Sequence, residues 1–305
     1  MPNIQELPPS PITSLNSSHV LWPSLWNEIK DPPSEVQVQG NAEVLSLPAV
    51  AIVGTRKATL RGLAFARALA FVLASRHWCI VSGLALGVDA AAHRGALEAG
   101  GPTVAVMGTG LARVYPAVHG GLRREIENCG CVISEYETNA GPRKYHFPQR
   151  NRLIAAMVKA VIVVEAPTRS GALLTAQLAL DYNREVFAVP GPIDHENSRG
   201  CHHLLRQGAH LLETADDLLQ VLGSPDPEPN CRNPERGTDD LNPIPGSAAS
   251  WILDRLDFEG IGHDKLRGRF NGSEEMWGEG LLALELAGLI RRLPGGLLAR
   301  TMWRI

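Results

Sequence analysis

Two short stretches hold most of the chemistry available to this chain. Ala51-Ile52-Val53-Gly54-Thr55-Arg56-Lys57 is an apolar run that ends in a glycine, a hydroxyl and two cations. Pro142-Arg143-Lys144-Tyr145-His146-Phe147-Pro148-Gln149-Arg150-Asn151-Arg152 sets four cations around the rings of Tyr145 and Phe147. Cations answer backbone phosphate, and a flat apolar ring answers an unstacked base. In a parallel α/β domain the strand ends and the loops after them share one edge, so both stretches would line one basic, aromatic groove. That combination reads as a binder of single-stranded nucleic acid rather than as an enzyme.

Each motif also has a plainer reading. Gly54 lets backbone amides approach an anion at a helix N-terminus, and Arg56 can fork onto a phosphate. The same residues could equally form an ordinary strand-to-helix turn with a solvated Arg, and the spacing is not the dinucleotide fingerprint G-x-G-x-x-G. In Ser82-Gly83-Leu84-Ala85-Leu86-Gly87-Val88-Asp89, two glycines permit a tight turn against the first loop. Asp89 is expected to cap the next helix, with His93 one turn on and hydrogen-bonded to it. Acid–base work by this pair is the alternative. Gly108-Thr109-Gly110 forms another Gly-rich turn, with Arg113 nearby. Phe147 precedes a proline, which disfavours helix and places it on a loop, its ring either stacking on a base or tucked into the core with Tyr145. Arg150 and Arg152 are two apart and point to different sides of a starting helix, so at least one is expected to pair with Glu135 or Glu165. Ser170 and Gly171 open a further helix and add free amides to the same edge. Glu165 has no nucleophile or second carboxylate beside it in sequence, and ion pairing is its expected role. Cys129, Cys131, His195, His202 and His203 lack four-ligand zinc spacing, so no metal is expected.

The elements that must position these groups follow from the apolar pattern. Strands are expected at Ala49–Val53, Cys79–Val81, Thr103–Met107, Val132–Ile133, Val161–Val164, Val186–Val189 and His210–Leu212. Helices fall between them, at Leu60–Ala74, Asp89–Ala99, Leu122–Asn128, Ser170–Tyr182 and Gly200–Arg206. Strands apolar on both faces and alternating with helices imply an extended Rossmann-like, doubly wound α/β domain with a mainly parallel sheet over 47–222. Residues 1–46 read as a Pro-rich tail, loose to about residue 20, and a short lead-in with a strand around Val36–Val38. Six prolines make 223–246 a linker. Residues 247–305 read as a small C-terminal winged-helix-like domain: three helices, then two strands around Pro294-Gly295-Gly296. Its expected recognition helix, Ser273–Ala287, carries four Glu and no cation. Phosphates would repel it, so protein contact or self-association is the expected use.

Composition narrows the function classes. The chain has 305 residues, 44% apolar and 20% charged, enough for a real core. With a net charge of −3, contact with nucleic acid must come from local cation clusters. Five scattered Cys and no export signal read as reduced thiols in a cytoplasmic protein. No run approaches the ~18 apolar residues of a membrane span.

Taken together, the motifs resemble the DprA (Smf) family of bacterial DNA-processing proteins. The residues that carry the resemblance are Ile52-Val53-Gly54-Thr55-Arg56, Ser82-Gly83-Leu84-Ala85 with Gly87, Asp89 and His93, and Gly108-Thr109-Gly110 with Tyr115-Pro116. Ile133-Ser134-Glu135, Phe147-Pro148 with Arg150-Asn151-Arg152, Ser170 to Ala176, Val189-Pro190-Gly191 and Gly208-Ala209 complete the set. The resemblance covers about 22–222 strongly and 247–300 moderately. It implies an extended Rossmann fold that binds single-stranded DNA, works as a homodimer and helps load the RecA recombinase onto incoming DNA in natural transformation. It also implies that Arg56, Lys144 and Phe147 contact DNA in a pocket walled by the Gly-rich turns. The full candidate set is Gly54, Thr55, Arg56, Lys57, Gly83, Gly108, Lys144, Phe147, Arg150, Asn151, Ser170 and Gly171, with no catalytic residue and no cofactor. Many relatives carry an N-terminal helical, SAM-like domain, for which this chain shows only the short Pro-rich lead.

Two other readings compete. Related Rossmann-like enzymes cleave nucleotide N-glycosidic bonds, but their Pro-Gly-Gly-x-Gly-Thr loop is missing from the expected sheet edge. An interaction scaffold whose pocket only binds nucleotide is the third, and it predicts no salt-dependent affinity for DNA.

Overall fold

The computed structural model describes residues 11–225, 247–256, 260–286, 289–293 and 295–300. The expected tail up to residue 10, and the expected linker from residue 226 to 246, lie outside the described residues. The chain divides into two compact units, Met1–Glu228 with Ile305, and Pro229–Arg304.

The first unit is built on a nine-stranded sheet. Its strands are β1 (Ile12–Asn16), β2 (Glu35–Gly40), β3 (Ala49–Val53), β4 (Cys79–Ser82), β5 (Thr103–Val106), β6 (Cys131–Ser134), β7 (Ala160–Val163), β8 (Glu185–Ala188) and β9 (His210–Leu211). Their spatial order is β1-β2-β6-β5-β4-β3-β7-β8-β9. β3 to β9 run parallel, while β1 and β2 add an antiparallel edge. Every residue of β3, β4, β5, β6 and β7 is buried. Val- and Ile-rich runs apolar on both faces are what a sheet covered by helices requires. The helices are α1 (Leu60–Ser75), α2 (Val88–Glu98), α3 (Gly120–Cys129), α4 (His146–Ala156), α5 (Gly171–Asp181), α6 (Arg199–Arg206) and α7 (Ala215–Leu222). In α1, Phe65, Leu69 and Leu73 recur at four-residue spacing and are buried.

Three elements differ from the sequence reading. Ile12–Asn16 is an edge strand in register with β2 rather than a loose tail, held through buried Leu15. Residues 215–222 form α7, whose start is a capping box between Thr214 and Asp217. Phe147 lies in the first turn of α4 and not on a loop. Pro148 is tolerated there because first-turn N–H groups have no partner inside the helix.

From β3 the chain winds through β4, β5 and β6 to one side, then returns to β7, β8 and β9 on the other. The winding reverses between β3 and β7. In open α/β sheets, ligands enter the crevice outside the carboxyl ends of the strands at such a reversal.

The second unit has its own core, which includes Ile252, Leu253, Leu266, Trp277, Leu281 and Leu298. Its described elements are α8 (Ala248–Arg255), β10 (Ile261–Gly262), α9 (His263–Arg267), α10 (Glu274–Leu286), β11 (Ile290–Leu293) and β12 (Leu297–Arg300). The three strands pair antiparallel in the order β10-β12-β11.

Candidate nucleic-acid interface

The loop after β3 stands at the reversal and is tied down from several directions. Thr55 N–H donates to the Glu165 carbonyl at 2.7 Å, and Asn197 Nδ2 donates to the Lys57 carbonyl at 3.0 Å. The Glu165 carboxylate accepts from Thr59 N–H at 2.9 Å, from the Thr59 hydroxyl and from Asn197 Nδ2 at 3.2 Å. Thr59 is the N-cap of α1, its hydroxyl oxygen accepting from Gly62 N–H at 3.0 Å. Glu165 therefore anchors a helix start through hydrogen bonds, where an ion pair was expected. Arg56 and Lys57 are left exposed, with no ion pair among the described residues.

Opposite this loop stands α4. The His146 ring is buried, hydrogen-bonded through Nδ1 to the Gly108 carbonyl at 3.1 Å and stacked on Tyr136 at 3.9 Å. Tyr136 Oη donates to the His146 carbonyl at 3.0 Å, and burial, with the Glu135 charge, pushes this phenol up to about 12. Phe147 is half-buried against Gly108, where an added Cβ would come within 2.9 Å of the ring. Tyr115 lies 5.5 Å from the same ring, and the Arg56 guanidinium carbon sits 5.4 Å from its centroid. Cation and ring are thus offered together, within cation–π range.

Beneath them is a buried polar layer. Arg150 is 5% exposed, and its Nη1 donates to the Gly83 carbonyl at 2.7 Å and to the Val106 carbonyl. An added Cβ at Gly83 would collide with that guanidinium, so this glycine clears room for a side chain. Asp89 is 6% exposed and accepts from Gly83 N–H at 3.1 Å and Ala85 N–H at 3.3 Å. Burial raises the Asp89 carboxyl, with the Arg150 charge opposing; burial likewise lowers Arg150, with Asp89 opposing. Each group's charge thus favours the charged form of the other. The N-cap of α2 is Gly87 rather than Asp89. His93 does not meet Asp89 as expected; its Nδ1 bonds the Thr103 hydroxyl at 2.7 Å. Since that hydroxyl donates to the Ile80 carbonyl at 2.6 Å, Nδ1 carries the proton. Burial drives the His93 imidazole down to about 3, which keeps it neutral and removes it from acid–base chemistry near neutral pH.

Arg152 is the structural arginine anticipated from spacing. It pairs with Glu135 and lies 3.3 Å from Asp31. Burial raises the Glu135 carboxyl in spite of this partner.

These pieces enclose two adjoining hollows that share Arg56, Ala85, Phe147 and Arg150. The smaller is aromatic, with Gly83, Ala85, Leu86, Gly108, Tyr115 and Pro116 in its wall. The larger, about 410 Å³, lies at the reversal, where Gly54, Thr55, Lys57, Asn151, Ser170 and Gly171 line it. Ser170 caps α5, its side chain accepting from Ala172 N–H at 3.2 Å. Eleven of the twelve residues singled out from sequence therefore meet at one edge. Lys144 is exposed just before α4 and lines neither hollow. Arg169 and Leu174 line the larger hollow, and Tyr115 the smaller, without having been chosen. Arg169 carried a signal, a cation directly before the Ser170 cap; Leu174 carried none. Among the described residues no cluster of three or more His, Cys, Asp or Glu could hold a metal. No described helix is long and apolar enough to cross a membrane.

Comparisons with known proteins cover most of the first unit. Residues 13–223 match the family model for DNA recombination-mediator protein A. DNA processing protein DprA of Streptococcus pneumoniae is 44% identical over 195 residues, 63% of this chain and 68% of its own. Protein Smf of Escherichia coli is 37% identical over 273 residues, 87% of this chain and 71% of its own. The crystal structure of the S. pneumoniae protein superposes with a TM-score of 0.66 at 41% identity, covering 71% of this chain and 74% of that one. DNA processing protein A of Helicobacter pylori, a structure described for its single-stranded DNA binding mode, gives 0.64 at 32% identity, covering 70% and 96%. The chain belongs to the DprA/Smf family of DNA-processing proteins.

Proposed function

We propose that this chain binds single-stranded DNA in the groove between the β3 loop, the β7 loop and the start of α4. The observation that carries the reading is the pairing of exposed Arg56 with half-buried Phe147, cation over ring, in the lining of both hollows. A base fits the aromatic wall, while Arg56, Lys57 and Arg169 face the backbone phosphates. The single-stranded DNA binding mode of the H. pylori relative supports the same assignment. The reading is of a binder and not an enzyme. Glu165 and Asp89, the carboxylates nearest the groove, are each occupied by backbone amides. Loading of RecA by a cytoplasmic homodimer, in natural transformation or recombination, extends the proposal on family resemblance. The helix, strand, helix, helix, hairpin order of the second unit supports a winged-helix reading.

The test is fluorescence anisotropy of labelled poly-dT against the matching duplex at several salt concentrations. Tight, salt-sensitive binding to the single strand alone is the expected result. Equal binding to duplex, or none, would remove the stacking argument and bring the nucleotide-enzyme reading forward; consumption of nucleoside monophosphate would then decide it.

A further inference from the structure

The turn after β4 is held in an unusual way. Leu84 has φ of 54°, the left-handed region that L-residues avoid, yet its side chain is fully buried. The polar backbone groups around it are taken by side chains from three other elements. Asp89 of α2 receives Gly83 N–H and Ala85 N–H. Arg150 of α4 donates to the Gly83 carbonyl. The buried His119 ring, from the 3-10 turn Ala117–His119, bonds the Leu84 carbonyl through Nδ1 at 2.9 Å. Arg150 also reaches the Val106 carbonyl, and so ties this turn to the end of β5. Residues 83, 85 and 86 wall the aromatic hollow, and Phe147 sits one turn before Arg150 on the same helix.

We propose that Arg150 and Asp89 form a buried brace that sets the 83–86 turn and the Phe147 ring in their binding geometry, neither side chain touching the ligand. The proposal rests on the single-stranded DNA reading above. The cation beneath the groove is thus a positioning residue, while Arg56 is a contact. A strained turn persists only where its surroundings over-determine it, and a planar guanidinium whose Nη1 bonds the Gly83 and Val106 carbonyls while its Nε bonds Asn151 Oδ1 at 3.2 Å supplies a fixed orientation that an ammonium lacks.

The experiment compares the full chain with Arg150→Lys, Arg150→Gln, Asp89→Asn, Arg150→Gln/Asp89→Asn and Arg56→Ala. Poly-dT carrying 2-aminopurine reports both affinity and the stacked state at saturation, and amide hydrogen exchange follows residues 83–86. For Arg150→Lys the brace predicts affinity weaker by about tenfold, an altered 2-aminopurine signal at saturation, and a salt slope equal to that of the parent. Arg56→Ala instead lowers the slope by about 0.7, one single-strand phosphate contact. The double variant, with no buried charge left unpaired, recovers part of the affinity lost by Arg150→Gln alone. A slope reduced in Arg150→Lys would make Arg150 a phosphate contact and overturn the proposal. So would a parental signal at saturation, which marks a residue that supports only the fold. If the parent chain binds no single strand, the function reading falls, and exchange alone judges the brace: faster exchange at 83–86 in Asp89→Asn supports it, and unchanged protection overturns it.

Discussion

Arg56 and Phe147 form the smallest unit that can do the proposed work, a guanidinium carbon 5.4 Å from a ring centroid. Replacing Arg56 and Lys57 together by Ala should weaken single-strand binding and lower the salt slope by about 1.4, two contacts at ~0.7 each. Titration of poly-dT at several salt concentrations measures it, and an unchanged slope would remove both residues from the phosphate path. His93 makes a second prediction, on stability. Its folded pKa of about 3 lies below its ordinary 6.5, so the native state holds it neutral while the unfolded chain protonates first. Its contribution is complete above pH 6.5 and is lost as pH falls towards 3, at up to about 1.4 kcal/mol per unit. Urea unfolding between pH 7 and 4 should show this loss, and His93→Gln should flatten it. At this scale residue types were readable from sequence and partners were not. Asp89 and His93 are one helical turn apart, yet each bonds a different element.

The elements position these residues through their starts. α1 begins where the Glu165 carboxylate takes the Thr59 amide and hydroxyl, and α4 begins where His146 bonds Gly108. Glu165→Ala should leave the Thr59 amide and the Asn197 side chain short of an acceptor, costing about 1–3 kcal/mol. A urea midpoint matching that of the parent would show the anchor to be dispensable. The apolar runs located all seven parallel strands: β3 to β7 are buried at every position and so read as nearly continuous apolar runs, while the outer β8 and β9 are partly exposed. The start of α4 escaped sequence reading because the residue before a proline usually leaves helix. Here the packing of His146 on Tyr136 and of Phe147 on Gly108 overrides that preference. β1 escaped because an edge strand needs only one buried side chain, Leu15.

The molecule as a whole carries a net charge of −3, so its affinity for a polyanion has to be local. The second unit has its own core and an α10 helix without a cation, its exposed residues including Glu275, Met276, Glu279 and Leu282. Deleting residues 224–305 should therefore leave single-strand affinity within about twofold. A large loss, read by the same anisotropy titration, would move a DNA contact into that unit. The sequence by itself determined the α/β class, the strand positions and the sheet edge at which the cations gather, because hydrophobic periodicity is local and each loop follows its strand. Only the tertiary structure decided which cations stay free and which are enclosed. Arg56 and Arg150 look alike in sequence, but one is exposed over the Phe147 ring while the other is buried beneath the 83–86 turn, bonded to the Gly83 and Val106 carbonyls. That difference depends on contacts between residues tens of positions apart, where burial and the room left by glycine, rather than residue type, set what a side chain can reach.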